Sequence, residues 1–218
     1  MIYILQNLSG IAVIAAGLGL LIVLVFSLTL HEYSHAYIAY KNGDMTAKAM
    51  GRLTVNPVVH MDLIGMFCCF FCGFGWAKPV PINPAMFRNY KKGMILTSLA
   101  GVIMNLILAF IGAGFYYLCL KFITVVNFWT LFVLYTSYFW YVINLSLFVF
   151  NLLPVYPLDG FKIIETCTKY DNKFIVFMRS YGGLLLLAVV LLCGAWLSKL
   201  ITWVGYPISA FWELVFGI

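Results

Sequence analysis

The sequence has 218 residues, of which 64% are hydrophobic and only 9% are charged. A soluble domain carries about 25% charged residues, so this composition excludes a fold with an ordinary polar surface and indicates a protein whose solvent is the lipid bilayer. The net charge of +6 would suggest a nucleic-acid partner in a soluble protein. Here the basic residues fall in the connections between apolar runs, so we expect no nucleic-acid binding.

Five apolar runs are long enough, or nearly long enough, to enter a bilayer. They cover residues 11–40, 61–77, 93–120, 128–153 and 183–203. About 20 residues cross the roughly 30 Å hydrocarbon core as a helix, so we expect the first run to tilt or to project from one face. The first ten residues lack the basic n-region of a signal peptide, and we expect this run to be a permanent helix. The tail, residues 206–218, is too short to span as a helix.

The basic residues are distributed unevenly between the connections. Between the first and third runs lie Lys41, Lys48, Arg52, Lys78, Arg88, Lys91 and Lys92, and between the fourth and fifth lie Lys162, Lys169, Lys173 and Arg179. Cytoplasmic loops carry the excess of Lys and Arg. We therefore expect both basic connections to lie in the cytoplasm, and the N-terminus and residues 121–127 to lie outside.

This orientation requires that the second run, residues 61–77, does not cross the membrane. We predict that it enters and returns, with extended chain at residues 52–55 and 76–84, the latter being too rich in proline for a helix. The predicted fold class is an all-α polytopic membrane protein. It has four to five transmembrane helices plus a re-entrant or β-hairpin segment between the first two full spans, and residues 1–218 form a single integral membrane domain.

The first run ends in the sequence His31-Glu32-Tyr33-Ser34-His35, which is an HExxH motif. Residues four apart lie on one face of a helix, so both imidazoles can reach one metal ion. Glu32 lies beside that face, where a carboxylate can act as the base that activates water. Charged groups inside an apolar run cost free energy unless they are compensated. A metal in a water-filled cavity is the compensation that this pattern favours.

A catalytic zinc usually takes three protein ligands, and two residues are candidates for the third. Asp159 follows Pro154 and Pro157, which must break the fourth helix and free backbone carbonyls. The predicted sidedness brings Asp159 to the same cytoplasmic leaflet as the paired histidines. His60, just before the second run, is the alternative ligand, or else an outer hydrogen-bonding group or a partner of Asp62.

Three cysteines in the second run form a further cluster, Cys68, Cys69 and Cys72. A cluster of this kind can bind a metal. Because these cysteines lie in an apolar run, we interpret them as small buried residues.

Two motifs together resemble the site-2 protease family of intramembrane metalloproteases. These are HEYSH in a first transmembrane helix and NLLPVYPLDG, residues 151–160, in a later one. Shorter stretches resemble the short bacterial branch of the family, namely residues 56–65, 73–81 and 100–105. The resemblance covers residues 20–179. Val102 departs from it, because the family often has Pro in the Gly-Pro-x-x-Asn segment, and we expect local consequences for the backbone there.

The resemblance implies a set of roles. Zinc would be bound by His31, His35 and Asp159, Glu32 would activate water, and Asn151 would hydrogen-bond the substrate or the developing oxyanion. It also implies cleavage of a transmembrane protein substrate within a bacterial cell membrane. The charge bias predicts that the active site lies toward the cytoplasm. The PDZ and CBS domains of other branches are not expected here.

Two alternatives from other functional classes remain open at this point. A divalent-metal carrier would also place His, Glu and Asp within membrane spans. A catalytically inactive membrane scaffold could retain the same motifs for structural reasons. The oligomeric state stays open.

Overall fold

The computed structural model describes residues 10–62, 64–65, 67–68, 78–169 and 172–218. Within these ranges 79% of the residues are helical and no strand is formed. Four helices are long and apolar enough to cross a membrane. The all-helical membrane architecture expected from the composition is therefore confirmed.

Seven α-helices follow one another along the described chain. They are α1 (Gly10–Lys41), α2 (Thr46–Ala49), α3 (Tyr90–Phe122), α4 (Phe128–Asn151), α5 (Asp159–Cys167), α6 (Lys173–Leu192) and α7 (Gly194–Phe216). Short 3₁₀ turns occur at Pro57–Val59 and Pro84–Met86. The candidate spans are α1, α3, α4 and α6.

Asparagine caps fix where three of the spans begin. The side chain of Asn89 accepts a hydrogen bond from the Lys92 N–H at 3.0 Å, before α3. Asn127 and Thr130 form a reciprocal capping box before α4, and Asn172 caps α6. Each cap satisfies a backbone N–H that the first helical turn leaves without a partner.

Helices α1, α3 and α4 pack against one another and form the core of the molecule. Small residues permit the close approach that membrane helices need in the absence of a strong hydrophobic driving force. A Cβ at Gly19 would collide with Thr136 on α4. A Cβ at Gly112 of α3 would lie 2.6 Å from the backbone N of Tyr141 on α4. The backbones at these crossings are therefore too close for any residue but glycine.

The later helices are arranged around this core. Helix α5 packs on α3, and Phe161 of α5 is fully buried in a cluster with Ile175 and Met178 of α6. Helix α7 contacts α3 and α4, where the Trp212 indole N–H donates to the Phe110 carbonyl at 3.0 Å.

Three of the predicted runs agree with α1, α3 and α4 to within three residues at each end. The prediction for residues 183–203 is wrong, because the chain turns at Cys193 and divides this run between α6 and α7. Helix α6 begins ten residues earlier, at its Asn172 cap, so that its twenty residues are complete at Leu192. Most of the predicted short tail is the second half of α7. Val102 lies within the uninterrupted α3 and is buried.

The predicted re-entrant or β-hairpin segment, residues 61–77, falls mostly outside the described residues. Ile64, Gly65, Phe67 and Cys68 are helical. Residues 52–55 and 78–83 are neither helix nor strand. The expectation of non-helical chain therefore holds for residues 52–55 and 78–83, whereas Pro84 begins a 3₁₀ turn, and no strand pairing is found in these described residues.

The close approach of α3 and α4 predicts opposite effects for two glycine substitutions. Gly112→Ala should destabilise the protein by about 1–3 kcal/mol, because backbone atoms of α4 cannot yield to the added Cβ. Gly183→Ala is the matched control, since nothing lies within 4 Å of its Cβ, and it should be neutral or stabilising by up to about 1 kcal/mol. Thermal unfolding in one detergent measures both changes. Equal melting temperatures for the two variants would contradict this packing.

Candidate metal centre

The two motif histidines lie one helical turn apart on the buried face of α1. His31 is 7% exposed and His35 is 4% exposed. Their Nε2 atoms are 3.0 Å apart and point to the same place. The i, i+4 spacing therefore brings two nitrogen donors together, as predicted for one metal ion.

Asp159, the first residue of α5, completes a group of three donors. Its Oδ2 lies 3.3 Å from Nε2 of His31 and 3.1 Å from Nε2 of His35. The helix break after Asn151 turns the chain back so that α5 begins beside α3. The glycine that follows, Gly160, packs against the Leu152 carbonyl so closely that a side chain would not fit. The break and this glycine together place the carboxylate on the paired imidazoles.

The donor set fits a tetrahedral zinc ion. With zinc–ligand bonds of about 2.0–2.1 Å, tetrahedral ligand atoms lie about 3.3 Å apart. The observed separations of 3.0, 3.1 and 3.3 Å agree with that value. Two imidazoles and one carboxylate are also a common ligand set for catalytic zinc, which keeps a fourth position open.

The hydrogen bond of His35 sets its tautomer. Nδ1 of His35 lies 2.7 Å from the backbone carbonyl of Thr97 on α3. Because a carbonyl only accepts, Nδ1 is the donor, and Nε2 of the neutral ring presents its lone pair to the metal position. This is the usual outer arrangement of a metal-binding histidine.

Gly101 of α3 makes room for both rings. A Cβ there would lie 2.5 Å from Nε2 of His35 and 2.6 Å from Cε1 of His31. The two imidazoles therefore occupy the space that any side chain at this position would need.

Lys162 binds the oxygen of Asp159 that the imidazoles do not face. Its Nζ lies 2.9 Å from Oδ1. Without a metal, burial alone would raise the pKa of the Asp159 carboxyl, but the charge of a protonated His35, the hydrogen bonds of His31 and His35 and the charge of Lys162 offset it and hold the pKa well below its usual range. Asp159 is therefore charged, with Oδ2 directed to the histidines and Oδ1 to the lysine.

Glu32 is held by a backbone N–H from a distant segment. Its Oε2 accepts a hydrogen bond from the N–H of Val80 at 2.9 Å. Val80 belongs to residues 78–83, which we call the strap. One carboxylate oxygen is thereby fixed next to the histidines, and Oε1 accepts no hydrogen bond within the part of the chain that the structure describes.

Polar contacts anchor the strap on both sides of Val80. The buried Arg52 guanidinium donates from Nη2 to the carbonyls of Lys78, at 2.8 Å, and Pro79, at 3.1 Å. The N–H of Asn83 donates to Oδ2 of the buried Asp44 at 2.7 Å. Since Val80 lies between these anchors, they determine where its N–H meets Glu32.

His60 lies outside the three-donor group. Its ring nitrogen Nε2 is 2.8 Å from the Thr54 carbonyl, and its own carbonyl accepts from the N–H of Lys78 at 3.0 Å. Asp62 binds the N–H of Gly65 instead of His60. Of the two candidates for third ligand, the geometry brings only Asp159 to the histidines, and His60 contributes to the strap.

Two other predicted features stand apart from the donor group. The amide Nδ2 of Asn151 donates to the Leu147 carbonyl at 3.0 Å, so it is turned back along α4. Cys68 is partly buried, while Cys69 and Cys72 lie outside the described residues.

A cleft of about 320 Å³ opens beside the three donors. It lies between the strap, α3 and α5, and its lining includes Val80, Ile82, Thr97, Tyr156, Lys162 and Glu165. His35 and Asp159 also border it. A polypeptide entering this cleft would therefore pass directly beside His35 and Asp159.

Comparison with known proteins identifies the family. The sequence model of Peptidase family M50 matches residues 19–193. The chain belongs to this family, the site-2 proteases. As an M50 member it is an intramembrane zinc metalloprotease, and the carrier and scaffold alternatives are not favoured.

Two relatives support the same assignment. The M50 chain is 47% identical to YwhC of Bacillus subtilis over 149 residues, which cover 67% of each protein. It is 27% identical to Rip2 of Mycolicibacterium smegmatis over 189 residues, which cover 82% of this chain and 70% of the relative. Both relatives are named as candidate zinc metalloproteases. No solved structure matches significantly.

Several residues of the M50 site carry no signal that sequence reasoning could use. Val80 and Thr97 act through backbone atoms, which every residue has. The sequence presents Arg52 only as a basic residue of a connection, although it is 8% exposed and anchors the strap. Lys162 is a basic residue of the other connection, and its i, i+3 spacing from Asp159 on α5 permits the contact.

The three-donor geometry makes a prediction about metal binding. Asp159→Ala should abolish stoichiometric zinc binding, because it removes the carboxylate that faces both imidazoles. His60→Ala should retain zinc, since the His60 ring bonds the Thr54 carbonyl and lies outside the three-donor group. Metal analysis of the purified variants measures both. The reverse pattern would reassign the third ligand to His60.

Proposed function

We propose that His31, His35 and Asp159 hold the catalytic zinc, and that Glu32 is the base in the hydrolysis of membrane-embedded peptide bonds. The observation that supports this most is the convergence of three donor atoms within 3.3 Å of one another beside a fixed carboxylate. A structural cluster has no need of a base held in this position. The family assignment and the geometry thus favour the same chemistry.

Glu32 performs the proton transfers in this proposal. When bound, zinc supplies Lewis acidity that polarises the scissile carbonyl and makes water a stronger acid. Glu32 takes the proton of the attacking water through Oε1, since Oε2 is engaged by Val80. The protonated carboxyl then passes that proton to the leaving nitrogen. Asn151 would have to release the Leu147 carbonyl before it could donate to the oxyanion.

The strap is the element that we expect to bind the unwound substrate. A helical substrate hides its peptide bonds, so it must become extended before cleavage. Pro79 and Pro81 have no N–H, and the N–H groups of Lys78, Val80 and Asn83 are already used. Ile82 lines the cleft, and its N–H forms no hydrogen bond within the described chain. An extended peptide can pair with this edge.

The depth and orientation of the site fit cleavage in the cytoplasmic leaflet of a bacterial cell membrane. His31 and His35 lie ten and six residues before Lys41, or about 15 and 9 Å along the helix axis. Lys41 and the other basic residues of that connection mark the cytoplasmic side. The site then lies below the cytoplasmic surface, in what we propose is a single integral membrane peptidase domain, residues 1–218.

Glu32→Gln tests the catalytic assignment. The change removes the base but keeps the size of the side chain and leaves the three zinc donors in place. Cleavage of a membrane-embedded reporter should fall by at least about 100-fold, as expected for the loss of a general base, while zinc content stays stoichiometric. Retained cleavage would remove Glu32 from the mechanism.

Glu32→Gln also distinguishes the peptidase from the carrier and scaffold alternatives. Zinc flux into proteoliposomes that survives Glu32→Gln, with no cleavage by the wild type, would support a carrier. A scaffold would show neither cleavage nor flux, and its binding role would not change. Asp159→Ala, which should not bind zinc, is the matched control for the protein without metal.

A proline substitution in the strap tests how Glu32 is positioned. Val80→Pro removes the N–H that donates to Glu32, and proline fits an extended backbone that lies between two other prolines. Turnover should fall by about tenfold or more, because a hydrogen bond to a charged group contributes roughly 1.5–3 kcal/mol. Zinc content should not change.

Val80→Ala is the control for this experiment. It removes the packing of the side chain against Ala36 and Ala47 but keeps the N–H. If both variants lose activity equally, packing and not the hydrogen bond accounts for the effect, and the positioning role fails.

A further inference from the structure

The side chain of Asn105 on α3 is a fully buried amide that has no hydrogen-bond partner in the described part of the chain. Its relative exposure is 0%, and neither Oδ1 nor Nδ2 has a partner among the described residues. A buried amide that forms no hydrogen bond costs folding free energy. Natural proteins tolerate such a group when it has a role or binds water.

The packing of α3 on α1 places Asn105 near His31. The N–H of Arg88, just before α3, bonds the Asn42 carbonyl just after α1, and Gly101 lies against the two imidazoles. The two helices are therefore antiparallel. Asn105 is one turn beyond Gly101 on the same face of α3, which brings it level with the turn between Ser27 and His31.

His31 has an unused donor in the same region. Its Nδ1 is buried and has no partner among the described residues, whereas Nδ1 of His35 donates to Thr97. Nε2 of His31 faces the other metal donors, so the neutral ring carries its proton on Nδ1. Histidine ligands almost always donate this second N–H to an acceptor that fixes the ring.

Helix α4 contributes a third unpaired polar atom at this level. Asn144 is 0% exposed, and its Nδ2 donates to Oγ of Ser27 at 2.8 Å. Its Oδ1 has no partner within the described chain. Thr136 of α4 packs on Gly19 of α1, and eight residues further along both helices Asn144 bonds Ser27. The Asn144 amide therefore lies level with Ser27, one turn from His31.

We propose that Asn105 is a positioning residue for His31 and acts through a buried water held between α1, α3 and α4. The water accepts the Nδ1–H of His31 and donates to Oδ1 of Asn105 and Oδ1 of Asn144. Three partners are the usual number for a buried water. This inference depends on the proposed role of His31 as a zinc ligand. It supplies for His31 the outer hydrogen bond that Thr97 supplies for His35.

Zinc affinity of the purified full-length chain tests the inference. Asn105→Leu removes the amide at similar volume and should weaken zinc binding, measured by competition with a chelator, by about 10–100-fold, the usual loss for an outer partner of a ligand. Asn105→Thr keeps a hydroxyl that can hold the water, and it should bind zinc within a few-fold of the wild type. A merely structural asparagine would not produce this difference.

Two results would overturn the proposal. One is an Asn105→Leu variant that binds zinc as tightly as the wild type while the metal-free protein melts at a higher temperature, because Asn105 would then be only a strained core residue. The other comes from the wild type and serves even if Asn105→Leu does not fold. ¹⁵N-histidine NMR of the zinc-loaded wild type should show a hydrogen-bonded Nδ1–H of His31 that contacts water, and an Nδ1–H without a hydrogen bond would refute the assignment.

Asp159→Ala separates this inference from the proposed function. If Asp159→Ala loses zinc while Asn105→Leu retains full affinity, the ligand assignment stands and only the role of Asn105 fails. If Asp159→Ala retains zinc, the ligand set itself is wrong, and the inference falls with it.

Discussion

The approach of the Asp159 carboxylate to two imidazoles, at 3.1 and 3.3 Å in an apolar interior, is the interaction on which the rest of the site depends. A carboxylate is costly to bury unless opposite charge or hydrogen bonds compensate it. Lys162 binds one of its oxygens, and the two imidazoles face the other. This contact requires the helix break before α5, because an uninterrupted α4 could not bring a carboxylate back to α1.

The three donors come from two parts of the fold, the core of α1, α3 and α4 and the peripheral helix α5. His31 and His35 lie on α1, inside the core of α1, α3 and α4, where glycines bring the backbones into contact. Asp159 lies on the nine-residue α5, which packs between α3 and α6. Core packing therefore fixes the positions of the two imidazoles, whereas the position of the carboxylate depends on how α5 packs. The ion pair between Glu165 of α5 and Arg179 of α6, at 2.7 Å, connects α5 to the neighbouring span.

Sequence patterns predicted the features that side-chain spacing encodes. The pairing of His31 with His35 follows from helical periodicity, and the return of Asp159 to the histidines was expected from charge bias and the proline break. The turn at Cys193 could not be predicted, since no proline interrupts residues 183–203 and the apolar run continues across Cys193. The contact of Val80 with Glu32 could not be predicted either, because a backbone N–H has no sequence signature and the two residues are 48 positions apart.

The strap shows why a membrane peptidase needs irregular chain at this place. Backbone without regular structure is tolerated at membrane depth only where its polar groups find partners or line a polar cavity. In the strap, Arg52 binds the carbonyls of Lys78 and Pro79, Glu32 binds the N–H of Val80, and Asp44 binds the N–H of Asn83. One of these four bonds, from Val80, therefore also fixes the Glu32 carboxylate. Ile82, whose N–H forms no hydrogen bond within the described chain, lines the cleft beside the donors.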